Sequence, residues 1–181
     1  VAMQNALSEG KSRVVGWEVN GGFLVGNDTE IDGQILVKLP TRDALLPMLC
    51  ALKVAVDDNV AVSEVFSRLP QRYTQAGMID NFPVETSQNI VRIFSNDTDQ
   101  NRQKLSEYFT TEKGFGNITG INSIDGIRIY FDNDIIAHIR PSGNAPQLRI
   151  YSVADTQDDA DTIVKLSLEE PSGILRQLEK I

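Results

Sequence analysis

Two arginines, a hydroxyl, a glycine and an amide are crowded into Ile139-Arg140-Pro141-Ser142-Gly143-Asn144-Ala145-Pro146-Gln147-Leu148-Arg149, between two apolar alternating runs. Side chains of these types suit an anion. Ser142-Gly143-Asn144 can turn sharply and gather backbone N–H groups into a concavity of the kind that holds phosphate, and Pro141 and Pro146 stiffen its two ends. Arg140 closes one expected strand and Arg149 opens onto the next. If those strands are neighbours, both guanidinium groups reach the loop mouth and can take phosphate oxygens in pairs. A phosphate monoester is the natural guest, and Arg140, Ser142, Gly143, Asn144 and Arg149 are the candidate contacts. A surface turn with two unrelated arginines would read the same way.

A second candidate lies in Glu18-Val19-Asn20-Gly21-Gly22. A carboxylate and an amide at alternate positions on a strand's lip, followed by glycines that admit a ligand close to the backbone, suit sugar hydroxyls. Glu18, Asn20 and Gly21 are the expected contacts, although Asn-Gly is also a common hairpin turn. His138 is the single histidine. It shares a strand face with Arg140, where it can serve as a general acid or base or simply pack. Asp132-Asn133-Asp134 reads as a hairpin turn, because alone it lacks the remaining oxygen ligands of a calcium loop. No Ser-His-Asp arrangement, Cys/His metal cluster or Walker-type loop stands out, so neither a catalytic residue nor a metal ligand is assigned within the chain.

The elements that must position these residues are those of a globular chain. A net charge of −8 and an isoelectric point near 4.6 argue against broad nucleic-acid binding, so any anion site must be local. The lone Cys50, set among Leu49, Ala51 and Leu52, is expected to be a buried thiol in a reducing, cytoplasmic setting. Residues 1–7 have neither the basic flank nor the apolar run of a signal peptide or membrane anchor. Position 1 is valine, which suggests a chain entered midway through a longer product.

In order, the pattern predicts a helix closed by Gly10, a strand at 13–17, an apolar run at 23–25 and a polar loop at 26–33. A helix capped by Thr41 should run to about Val56, buried because it is apolar almost all round, with Pro47 kinking it or delaying its start. A shorter helix from Val62 and a strand at 71–77 lead to a linker and a domain boundary near residue 80. Beyond it come two helices, or one broken helix, over 85–94 and around 105–109. A period-two hairpin at 127–131 and 135–140, a strand at 148–153, a helix capped by Thr156 and a last helix carrying Ile174, Leu175 and Leu178 follow. The fold class is α/β (α+β), with an α/β portion at 1–80 and an antiparallel sheet backed by helices at 81–181.

Arg140-Pro141-Ser142-Gly143-Asn144-Ala145-Pro146, with Arg149 after it, resembles the phosphate-binding loop of the last domain of the alpha-D-phosphohexomutases. Gly16-Trp17-Glu18-Val19-Asn20-Gly21-Gly22 is similar to that family's sugar-specificity loop, and Leu39-Pro40-Thr41-Arg42-Asp43-Ala44 also matches in order and separation. The likeness covers essentially the whole chain and is nearest to the bacterial phosphomannomutase branch, with phosphoglucomutase and phosphoglucosamine mutase as near relatives. Asn144 and Ala145 stand where the wider family carries a threonine and an acidic residue. The resemblance implies the end of a third domain followed by a complete fourth domain of TATA-binding-protein-like fold. It further implies a hexose phosphate substrate, a hexose 1,6-bisphosphate intermediate, and upstream domains of the same polypeptide that carry a phosphoserine and a Mg2+ loop. The isolated chain is then expected to be inactive. A non-enzymatic sugar-phosphate binding module and a domain docking an acidic partner are the other classes the residues admit.

Overall fold

The computed structural model describes residues 2–17 and 22–181, and the chain divides into two units between Pro70 and Gln71. The first begins with α1 (Ala2–Ser8), followed by β1 (Val15–Trp17) and β2 (Phe23–Val25), an antiparallel pair with Val15 opposite Val25. β3 (Thr29–Ile31) and β4 (Gln34–Leu36) form a second hairpin where a loop was expected. Its turn residues Asp32 and Gly33 both have positive φ, the backbone that a two-residue hairpin turn requires.

α2 (Leu45–Asp57) starts later than Thr41, because Oδ1 of Asp43 accepts from the N–H groups of Leu45 and Leu46 at 2.9 and 3.0 Å. Pro47 thereby falls in the first turn, where its missing N–H is tolerated. The expectation of burial fails for this helix: Leu45, Met48, Leu49 and Val56 are all more than half exposed, and Cys50 is exposed too. Within its own unit α2 packs on α3 (Val62–Ser67), and one such contact covers only part of an all-apolar circumference.

The second unit opens with β5 (Tyr73–Asp80), which runs on through the residues expected to be a linker. Then come α4 (Val84–Ile93), α5 (Asp99–Ser106), a 3-10 turn at Thr111–Lys113, β6 (Ile118–Asn122), β7 (Ile127–Phe131), β8 (Ile136–Pro141), β9 (Gln147–Ala154), α6 (Gln157–Leu168) and α7 (Ile174–Leu178). The strands make one antiparallel sheet in the order β5-β9-β8-β7-β6. β5 pairs with β9 along its whole length, from Tyr73 opposite Ala154 to Asp80 opposite Gln147. That pairing draws residues 71–80 into this unit and moves the division upstream of residue 80.

Alternation sorts the sheet into two faces. Ile127, Ile129, Phe131, Ala137, Ile139, Leu148 and Ile150 turn inward and are buried with Phe82, Ile90, Phe94, Leu105, Ile163 and Leu175 from the helical side. Each of these side chains but that of Ala137 contributes roughly 1.5–3 kcal/mol on leaving water. Phe109, Phe115 and Phe131 stack edge-on and tilted, with centroids 5.1 to 5.9 Å apart. Thr156 caps α6 as expected, its hydroxyl accepting from the N–H of Asp159 at 3.1 Å. The residues that alternate with this core, namely Arg128, Tyr130, His138, Arg140, Arg149 and Tyr151, leave the opposite face of the sheet. Among the described residues, no helix is long and apolar enough to cross a membrane.

Candidate phosphate-binding site

The loop on which the sequence concentrates its polar groups joins β8 to β9 at the edge of that second face. Its ends are tied: the N–H of Ser142 donates to the carbonyl of Gln147 at 2.9 Å, and the N–H of Gln147 to that of Ala145 at 2.8 Å. The first bond removes the Ser142 N–H from any anion nest. The N–H groups of Gly143, Asn144 and Ala145 have no acceptor among the described residues. Gly143 and Asn144 are exposed, and a Cβ added at Gly143 would meet nothing within 4 Å. Gly143 is thus not required by local packing, and it leaves the loop's backbone open to a close-fitting ligand.

Register decides where the arginines go. Arg140 lies directly opposite Arg149. Residues opposite one another on antiparallel strands share a face, so both guanidinium groups emerge beside the loop. The Nε of Arg140 stands 3.0 Å from Oδ1 of Asp125 in an ion pair, with its side chain about half exposed. Arg149 is more enclosed. One terminal nitrogen stands 3.4 Å from both Ser142 Oγ and Gln147 Oε1, long for a charged hydrogen bond, and its buried Nε has no partner. Two like charges brought together with donor capacity to spare are the chemistry of a dianion site.

The loop's trailing end is fixed from β5. Gln147 Nε2 donates to Asp80 Oδ1 at 2.7 Å, and the N–H of Phe82 to the Pro146 carbonyl at 2.9 Å. A carboxylate accepts only, so it takes the amide's NH2 end and turns the Gln147 oxygen toward Arg149. Neither Asp80 nor Gln147 was among the residues expected from sequence, since the link rests on a pairing between distant strands.

His138 shares the face as predicted, opposite Arg128 on one side and Tyr151 on the other, with its ring centroid 5.7 Å from that of Tyr151. Its Nε2 meets the carbonyl of Asp125, so the proton sits on that nitrogen and donates. Burial above all, and then the charges of Arg128 and Arg140, push its pKa below the usual 6.5 against the opposing pull of that hydrogen bond. The neutral ring is thereby favoured and one of its nitrogens is committed. Asp132 is structural, accepting from the backbone and side-chain nitrogens of Asn117 at 2.8 and 2.7 Å. Among the described residues, no three His, Cys, Asp or Glu side chains converge to hold a metal. Glu18, Asn20 and Gly21, the expected sugar contacts, lie outside the described residues.

No family model matches the chain. Curated relatives do. It is 40% identical over 162 residues to a phosphomannomutase of Salmonella muenchen, covering 90% of this chain and 32% of that protein. A phosphomannomutase of Sinorhizobium fredii (strain NBRC 101917 / NGR234) is 37% identical over 169 residues, 92% of this chain and 34% of the relative. A probable phosphoglucosamine mutase of Methanosphaera stadtmanae is 39% identical over a shorter 64 residues, 35% of this chain and 14% of the relative. The chain belongs to the phosphohexomutase family and spans about a third of the length of the two phosphomannomutases it matches.

Proposed function

We propose that the chain is the substrate-anchoring C-terminal portion of a phosphohexomutase that interconverts mannose 6-phosphate and mannose 1-phosphate, residues 1–70 ending its third domain and 71–181 forming its fourth. The observation that carries this reading is the pairing of Arg140 with Arg149 on one face beside an exposed loop. Names of the relatives supply the sugar. Arg140, Ser142, Gly143, Asn144 and Arg149 hold the phosphate that is not reacting, while Glu18, Asn20 and Gly21 grip sugar hydroxyls.

In such a reaction the phosphoserine P–O bond breaks as the phosphoryl group joins the free hydroxyl of the hexose phosphate. The resulting hexose 1,6-bisphosphate turns over and returns its other phosphate to the serine. The substrate must be held in both orientations. A phosphate clamp suits this, because either end of the bisphosphate presents the same dianion. Binding energy spent on that remote group positions the reacting end and lowers the barrier there. Mg2+, which offsets charge on the transferring phosphoryl group, and the phosphoserine belong to upstream domains of the same cytoplasmic polypeptide. Those domains also cover the apolar surface of α2.

Titration of the chain with mannose 6-phosphate tests the reading. Saturable binding that inorganic phosphate displaces supports it, and indifference to both ligands overturns it.

A further inference from the structure

The turn between β6 and β7 is built against the end of β8, at His138, Ile139 and Arg140, in three separate ways. Asp125 Oδ1 forms an ion pair with Arg140, 3.0 Å from its Nε. The Asp125 carbonyl accepts from His138 Nε2. Gly126 has a φ of +82°, and a Cβ there would stand 2.3 Å from the Ile139 carbonyl oxygen and 3.1 Å from Arg140 Cα, so glycine is required for the turn to lie this close. The turn is also held independently of the Asp125 carboxylate. Asn122 Oδ1 accepts from the N–H of Ile124 at 3.0 Å, and the Ser123 hydroxyl donates to the Ser95 carbonyl at 2.5 Å.

We propose that Asp125 is a positioning residue for the anion site: its ion pair holds the Nε side of Arg140 and so aims the two terminal nitrogens at a phosphate in the loop. This inference rests on the reading of that loop as a phosphate site. A guanidinium has one Nε–H edge and one end-on fork. With the Nε side held against the Asp125 carboxylate, the fork is the pair of donors left for a planar, two-point contact with phosphate oxygens. An arginine on a flexible stem otherwise loses rotamer freedom on binding, and the carboxylate removes that loss in advance. Arg149 comes from β9, one terminal nitrogen 3.4 Å from both Gln147 Oε1 and Ser142 Oγ. The two guanidinium groups therefore approach the loop from neighbouring strands.

Simple electrostatics gives the opposite expectation, which makes the inference testable. Deleting an anion from the edge of a phosphate site should tighten phosphate binding if Asp125 merely competes with the ligand. The experiment is titration of the 181-residue chain with inorganic phosphate, following the Arg140 Nε–Hε signal by NMR, in the wild type, Asp125→Ala and Asp125→Asn. Asp125→Ala should weaken phosphate about tenfold, with the chain still folded at the titration temperature. Asp125→Asn keeps the Oδ1 acceptor and should restore binding to within about threefold of the wild type. Equal or tighter binding by Asp125→Ala overturns the positioning role while leaving the phosphate site standing. A failure of the wild type to bind phosphate overturns both.

Discussion

Arg140 and Arg149 stand directly opposite one another on β8 and β9, eight residues of loop and strand apart in sequence and side by side on one face of the sheet. Like charges paired this way repel, an arrangement that costs stability unless an anion is there to share. Asp125 offsets part of this for Arg140, and Arg149 has only two long contacts to neutral oxygens.

Arg140→Lys keeps the charge and loses the planar fork. Phosphate affinity should fall about tenfold with the thermal midpoint unchanged, as calorimetric titration and a melting curve would show. Unaltered affinity would mean that only charge matters at this position.

Gly126→Ala should destabilise the second unit by about 1–3 kcal/mol, since the added Cβ meets backbone and the φ is left-handed. Gly143→Ala, where no atom lies within 4 Å, should leave urea unfolding unchanged. Equal effects of the two would contradict the account of the turn.

Stability should depend on pH through His138. Unfolded, its imidazole titrates near the ordinary 6.5, and folded it titrates lower because of burial and the nearby arginines. In the window between those values the unfolded chain binds more protons. The His138 contribution is therefore fully present above 6.5 and is lost as pH falls through the depressed folded value. Urea unfolding followed from about pH 7.5 down to about pH 5.5 should show this decline, and His138→Gln should flatten it. A slope unchanged by the substitution would assign the decline to other groups.

The chain by itself should show no conversion of mannose 1-phosphate in a coupled assay, because the groups that transfer the phosphoryl unit lie on other domains in the proposed enzyme. Measurable turnover would place a nucleophile within these residues.

Much of the second unit was legible because its signals are local. The alternation of Ile127, Ile129 and Phe131 with Arg128 and Tyr130 assigns face as well as strand, and Thr156 announces α6 on its own. It also foretold that Arg140 and His138 share a surface. What escaped depends on register or on neighbours. β5 was cut short at Gly77 because Met78 to Asp80 resemble a linker until β9 is laid beside them. Asp125 carries a plain Asp-Gly turn signal, and its contact with Arg140 appears only once β7 and β8 are paired. Cys50 and α2 were expected inside for their composition, but burial needs a covering layer, which no pattern within the helix can report.

The account stands most directly on hydrogen exchange across residues 140–149 with and without saturating inorganic phosphate. Protection of the Gly143, Asn144 and Ala145 amides, reproduced by mannose 6-phosphate and absent in Arg149→Ala, is the predicted result. Exchange in this loop that phosphate leaves unchanged, while the chain remains folded, would contradict it.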